Sequence, residues 1–268
     1  MKGVKKAFKA LRELIHNPWL LNNVLDDNTV WHRKVIQEFG LPDGLSCISL
    51  EQISPGFHET LETFSFLGGG SLPTDIALLK ALCRRFDKAK YFEIGTWRGE
   101  SVRNVSDVAE ECFTLNLADD QMRRLGLSED YIDAHGFFSK NRKNITQLLG
   151  DSTVFDFSGL DKRFDVIFID GNHHHEYIVS DTRNVFDHLI HEHSIVVWHD
   201  YAYDPDRVRF ETLHAILEAV PAGFHRYIHH VANTMCAIFI RDNFEVKALK
   251  PYEDPVHTYE VSIKSQKL

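Results

Sequence analysis

Two short apolar stretches of this chain run directly into aspartates. Residues 164–169 end at Asp170, and residues 194–198 end at His199 and Asp200. Asp170 opens the run Asp170-Gly171-Asn172-His173-His174-His175-Glu176, with Asp181 a few residues further on. Histidine, with an unperturbed pKa of roughly 6.5, can take or give a proton near neutrality, so this cluster suits proton transfer. Parallel strands buried on both faces read as short continuous apolar runs. Chemistry in open α/β sheets gathers at the carboxyl ends of such strands. Titratable groups at two of these ends therefore mark a site and not packing.

A third strand end carries a different pattern. Residues 90–94 lead into Gly95-Thr96-Trp97-Arg98-Gly99-Glu100-Ser101, a strand, a glycine turn and a helix start, with Glu93 two residues before the first glycine. Gly95 permits a sharp turn and a close ligand approach, and free amides at the helix start can hold a carboxylate or phosphate. The spacing is neither the G-x-G-x-x-G of dinucleotide folds nor the G-x-x-x-x-G-K-[ST] phosphate loop.

These ends must be held by a sheet. Strands over 90–94, 112–117, 145–149, 164–169 and 194–198 alternate with helices, which predicts a doubly wound, mostly parallel α/β sheet. A helix over about 207–219 stops at Pro221 and Gly223. Two strand-like runs follow, 224–231 and 235–241, separated by only Ala232, Asn233 and Thr234. That gap is too short for a parallel crossover, so they form an antiparallel pair. Alternation along the first run puts His225 and His229 on one face and His230 on the other. His188, His191 and His193 sit near a helix C-terminus, where cations are favoured.

The glycine-rich stretch 68–73 marks a boundary. Residues 1–72 read as a mainly helical cap broken at Pro18, Pro42 and Pro55, residues 73–245 as the α/β domain, and 246–268 as a polar tail. Thr74 or Asp75 is expected to cap a helix reaching to about residue 85. Val4, Phe8, Leu11 and Ile15 share one face of an N-terminal helix that is expected to dock. The net charge of -9 disfavours a nucleic-acid backbone as partner. The four cysteines form no CxxC pair, which fits a reducing, cytoplasmic setting. No apolar run approaches the ~20 residues of a membrane span, and no membrane partner is expected.

Glu93-x-Gly95-x-x-x-Gly99-x-Ser101 resembles the first motif of class I S-adenosylmethionine-dependent methyltransferases, most of all their small-molecule O-methyltransferase branch. The Asp170-Gly171…His173…Glu176 and His199-Asp200 segments resemble the D-G-x-H-x-x-E … H-D pattern of a bacterial group within that class, and a reversed final strand is a mark of the family. The resemblance spans roughly residues 90–201 and implies a Rossmann-like Class I fold. It implies S-adenosylmethionine as cofactor, held by Glu93, Gly95, Thr96, Gly99, Ser101, Asn116, Asp151, Ser152 and Asp170. Asn116 stands where the family usually has an acid for the ribose hydroxyls, and Asp119 or Asp120 could stand in. Gly150-Asp151-Ser152 corresponds to the adenine end.

By the same resemblance, His173 is the general base for a hydroxyl acceptor and His199 the second candidate. Some relatives bind a divalent cation with the aspartates at Asp170 and Asp200, although Tyr201 replaces their usual third ligand. The expected reaction is methyl transfer to a small-molecule hydroxyl, with nitrogen also open as acceptor atom. Trp19, Trp31, Phe57 and Phe64 are available to shape an acceptor pocket or to fill core. The alternative is a catalytically inactive binding protein on the same fold. A homo-oligomer is compatible with either reading.

Overall fold

The computed structural model describes residues 2–17, 28–250 and 254–267. Among these, the strands are β1 (Cys47–Ile48), β2 (Lys90–Ile94), β3 (Glu111–Asn116), β4 (Ile145–Leu149), β5 (Val166–Ile169), β6 (Ile195–Trp198), β7 (Ala202–Asp204), β8 (Arg207–Val208), β9 (Ile228–Val231) and β10 (Ala237–Phe239). The helices are α1 (Lys2–His16), α2 (Asn28–Phe39), α3 (Leu50–Ile53), α4 (Pro73–Cys83), α5 (Glu100–Val105), α6 (Asp119–Arg124), α7 (Glu129–Ala134), α8 (His175–His188) and α9 (Phe210–Ala219).

Eight strands make one sheet in the order β1-β9-β10-β6-β5-β2-β3-β4. From β4 to β6 every neighbouring pair is parallel. β10 runs antiparallel to both β6 and β9. The chain leaves β2 toward β3 on one side and returns to β5 on the other, so the strand order reverses at β2, where ligands enter open sheets.

Neighbouring residues of each strand point to opposite faces, and each face has its own core. Phe92, Ile167, Val196 and Trp198 pack with Val185 of α8 and Leu213 and Ile216 of α9. Tyr91, Phe168, Val197 and Ile238 pack with Leu78 and Leu82 of α4 and Val102 and Val105 of α5. This is the doubly wound, mostly parallel sheet with an antiparallel strand pair that the sequence predicts, β10 being the reversed strand.

The structure departs from expectation around that frame. The N-terminal segment is not all helix: β1 pairs parallel with β9, placing Cys47 opposite His230, and Ile48, Leu50 and Ile53 join the second core. A two-residue strand carries too little pattern to be read from sequence. α1 forms, but Val4, Phe8, Leu11 and Ile15 remain between 54% and 71% exposed, so the expected docking is not present among the described residues. Pro18 and Trp19 lie outside the described residues. α4 starts at Pro73, with Leu72 as its N-cap, and the Asp75 carboxylate accepts the Leu72 N–H at 2.7 Å.

Residues 207–208 pair with β7 in a small hairpin, so α9 begins only at Phe210. Residues 222–227 form a 3-10 helix, so His225 does not share a strand face with His229; its Nε2 meets the Val220 carbonyl at 2.9 Å. α8 ends at His188, and His191 beyond it meets Asp165 at 3.1 Å. No described helix is long and apolar enough to cross a membrane.

Candidate active site

The glycine turn is built around Gly95. Its φ is +97°, and a Cβ there would lie 1.9 Å from the Asp170 carbonyl oxygen, so no other residue fits without displacing the end of β5. Gly99, with φ +80°, opens α5 and has Ser139 3.0 Å from where a Cβ would be. The turn and Asp170 are thus in backbone contact across the point where the strand order reverses.

Glu93 is fully buried below this turn. Its carboxylate accepts from Thr114 Oγ1 at 2.7 Å, Tyr91 Oη at 2.8 Å and Ser101 Oγ at 2.9 Å. Burial pushes its pKa from 4.5 up to about 8, outweighing the three hydroxyl hydrogen bonds that favour the ionised form. Ser101 therefore directs its proton at Glu93 and not at open space. Thr96 shares a hydrogen bond with Thr114 and accepts from Gln147 Nε2 at 3.0 Å.

A cavity of about 310 Å³ opens beyond β2, β3 and β4, lined by Thr96, Asn116, Asp119, Met122, His135 and Gln147 among others. Asn116 and Asp119 both face it, whereas Asp120 pairs with Arg124 on the surface. Asp151 accepts from the backbone and hydroxyl of Thr153, closing its own turn. Ser152 hydrogen-bonds Asp181, whose carboxyl burial raises to about 6.

On the other side of β2, the ends of β5 and β6 form a chain of alternating acids and imidazoles. His173 Nδ1 lies 3.0 Å from Asp200 Oδ2. His199 Nδ1 lies 3.0 Å from Asp170 Oδ1 and 3.4 Å from Asp200 Oδ1, and its Nε2 lies 3.1 Å from Asp75 Oδ2. Burial alone would lower the His199 pKa, but the Asp170 and Asp75 carboxylates outweigh it and hold the ring protonated well above the ordinary range. Asp200 adopts a left-handed backbone, φ +51°, immediately after β6. For an aspartate this conformation is tolerated but uncommon, and such conformations cluster at functional sites.

His173 is the exposed end of this chain, with 42% of its side chain accessible against 6% for His199. His174 caps the start of α8, and His175 turns away toward α9. Tyr201 is buried, and its hydroxyl accepts the Leu45 N–H at 2.9 Å, which excludes it from the acid cluster. Asp75 is the residue that sequence reading missed, noted there only as a cap. Its second oxygen also accepts the Met235 N–H at 2.9 Å. Its proline-led helix start was visible; its partners, far away in sequence, were not.

Residues 92–201 match the family model described as Methyltransferase domain. That match covers under half of the chain, the stretch that runs from β2 to just past β6. The eight-stranded sheet, parallel except at β10, has a doubly wound, Rossmann-like topology.

Three solved structures are similar at low identity. The S-adenosylhomocysteine-bound methyltransferase PaMTH1 of Podospora anserina is 16% identical, with a TM-score of 0.45 over 65% of this chain and 80% of that one. CalS11, a TDP-rhamnose 3'-O-methyltransferase of calicheamicin biosynthesis, is 14% identical, with a TM-score of 0.44 over 63% and 80%. CalS10, an amino pentose methyltransferase from Micromonospora echinaspora, is 16% identical, with a TM-score of 0.38 over 56% and 61%. No curated protein matches the sequence.

Proposed function

We propose that this protein transfers the methyl group of S-adenosylmethionine to a hydroxyl oxygen of a small molecule, with His173 taking the hydroxyl proton. The observation that carries the reading is the His173–Asp200 pair at 3.0 Å, half exposed beside the glycine turn. With Nδ1–H donated to Asp200, the Nε2 lone pair of His173 is left free to accept. His199 cannot act as a base in the same way, because both nitrogens of an imidazolium donate and neither keeps a lone pair. It is instead a fixed positive charge that orients Asp170 and Asp200.

S-adenosylmethionine, when bound, supplies a methyl carbon on a cationic sulfur, and the new oxygen–carbon bond replaces the carbon–sulfur bond. The proposed contacts are Glu93, Gly95, Thr96, Gly99, Ser101, Asn116, Asp151, Ser152 and Asp170. The 310 Å³ cavity supports the placement, because Thr96 and Asn116 line it. Within the set, Glu93 acts as a buried countercharge positioned by Ser101, and Asp119 is the better stand-in for the missing ribose acid. Holding acceptor and methyl donor in line is the main work of such a site.

Residues 1–72 are the proposed acceptor-shaping cap. The segment straps over α5 beside the turn, where the Ser65 N–H donates to Glu100 and Arg98 donates to the carbonyls of Leu67 and Gly68. Asp170, His173 and Asp200 place one ligand atom each within 4.8 Å of the others. A divalent cation held there would orient an acceptor oxygen, whereas the imidazole of His199, 3.0 Å from Asp170 and 3.4 Å from Asp200, already faces the same carboxylates, and no step is routed through a metal.

Calorimetry with S-adenosylhomocysteine tests the cofactor, and incubation of metabolite extracts with deuterated-methyl cofactor tests the reaction by mass spectrometry. Saturable binding and a labelled ether product are expected. Absence of binding by the folded protein up to millimolar ligand refutes the proposal. Binding without any labelled product favours the inactive binding protein.

A further inference from the structure

A second cluster of ligand-type atoms lies away from the acid–imidazole chain, where α8, α9 and α2 meet. His175 is the first residue of α8, and His214 and Glu218 lie one turn apart on α9. His175 Nε2 is 2.9 Å from His214 Nδ1 and 3.3 Å from Glu218 Oε2, and His214 Nδ1 is 3.8 Å from the same oxygen. The point about 2.0 Å from all three atoms lies in their own plane, and their mean separation of about 3.3 Å is that of ligands around a tetrahedral zinc, so small side-chain shifts would seat an ion out of that plane.

The surroundings hold all three groups in place. His214 Nε2 lies 3.1 Å from Glu38 Oε2 of α2, so that nitrogen carries the proton and Nδ1 presents its lone pair to the cluster. A carboxylate behind a ligating histidine is the usual support of a metal-bound imidazole. Arg183 holds the other oxygen of Glu218 at 3.2 Å, leaving Oε2 aimed inward. Trp31 stacks on the His175 ring at 4.7 Å and 13°, fixing its plane.

Without an ion, the single His175 Nε2 proton is shared between His214 Nδ1 at 2.9 Å and Glu218 Oε2 at 3.3 Å. That proton occupies the place where three ligand atoms converge. A cation at the common point satisfies all three atoms. We propose that His175, His214 and Glu218 bind a divalent transition metal of the zinc class, with water in the fourth position. Two imidazoles and one carboxylate favour zinc over magnesium or calcium, which prefer all-oxygen ligand sets. The ion would tie the start of α8, two residues after His173, to α9, and through Glu38 to α2.

The test uses the full chain stripped with chelator and titrated with zinc alone by calorimetry, with cobalt as a spectroscopic probe. One zinc per chain is expected, with a tetrahedral cobalt absorption. Glu218→Gln and His214→Ala should each abolish it, and Glu38→Gln should weaken binding by about 10–100-fold. Glu218 is partly exposed, so its variant remains informative if His214→Ala does not fold. His173→Ala should leave zinc binding unchanged. Absence of saturable zinc uptake overturns the proposal. So does uptake that survives Glu218→Gln, or uptake lost in His173→Ala, which would place the ion at Asp170 and Asp200.

Discussion

Asp75 and His199 are joined by a 3.1 Å hydrogen bond between two buried side chains, from the imidazole Nε2 to the carboxylate Oδ2. Asp75 comes from the first turn of α4 and His199 from the end of β6, so the bond links the start of the α/β domain to its candidate centre. With Asp170, whose effect is the larger, it favours the protonated imidazole of His199, which also faces Asp200.

Removing one partner of a buried pair leaves the other charge uncompensated, at a cost of about 3–5 kcal/mol. Asp170 and Asp200 still face His199 in Asp75→Asn, so its loss of unfolding stability should fall below that range, at about 1.5–3 kcal/mol for a charge-assisted hydrogen bond, measured by chemical denaturation near neutral pH. A loss below about 1 kcal/mol would mean that the pair is not holding the imidazolium. The pH dependence has a definite sign. The folded pKa of His199 lies above its unfolded value, so its contribution is full below about pH 6.5 and declines as pH rises toward the folded pKa. Asp75→Asn should flatten that decline.

His173 carries the proposed chemistry and little structure. General-base contributions run to about 10²–10⁴-fold in rate. His173→Ala should reduce single-turnover methyl transfer by that order, with cofactor affinity kept. Asp200→Asn should lose part of the same rate, because the amide no longer fixes the His173 tautomer as a carboxylate does. Wild-type turnover in His173→Ala would remove the base assignment while leaving the cofactor site standing.

The sequence made the sheet legible because β5 and β6 are unbroken apolar runs and β2, β3 and β4 are apolar-rich runs, alternating with helical segments. It also located His173, Asp170 and Asp200 correctly at two strand ends. Relationships between distant residues were not legible. Asp75 resembled a cap because its partners His199 and Met235 are 124 and 160 positions away. His199 resembled a second base because one neighbouring aspartate is visible in sequence and the other two carboxylates are not. His175 and His214, on different helices, gave no sign of meeting. The amphipathic pattern of α1 predicted a helix, but the pattern does not specify what covers its apolar face.

Gly95 is the position where backbone geometry is least negotiable. A methyl group there meets the Asp170 carbonyl at 1.9 Å and demands a φ of +97° from an L side chain. Gly95→Ala should cost on the order of 2–4 kcal/mol or more, the range of strong overpacking and backbone strain. It should also abolish S-adenosylhomocysteine binding. Gly68→Ala is the control, since nothing lies within 4 Å of a Cβ there; its effect should stay within about 0.5 kcal/mol. Equal melting temperatures for the two variants would show that the turn relaxes freely.

Glu93 supplies a readout that reports ligand charge directly. Burial raises its pKa from 4.5 to about 8, so in the free protein it holds a proton at pH 7. The native state then binds more protons than the unfolded chain between these values. The resulting stability is full below pH 4.5 and is lost as pH rises through 8. Glu93→Gln keeps a neutral group there, so it should lack this decline and match or exceed the wild type in stability at pH 9. A cationic ligand beside the carboxylate favours its ionised form and drives the proton into solvent. Titrations of S-adenosylmethionine at pH 7 in buffers of different ionisation enthalpy should therefore reveal release of a substantial fraction of one proton per site. Glu93→Gln should bind with no such release. Binding heats that are independent of buffer in the wild type would place the ligand's positive charge away from Glu93 and remove that residue from the proposed cofactor contacts.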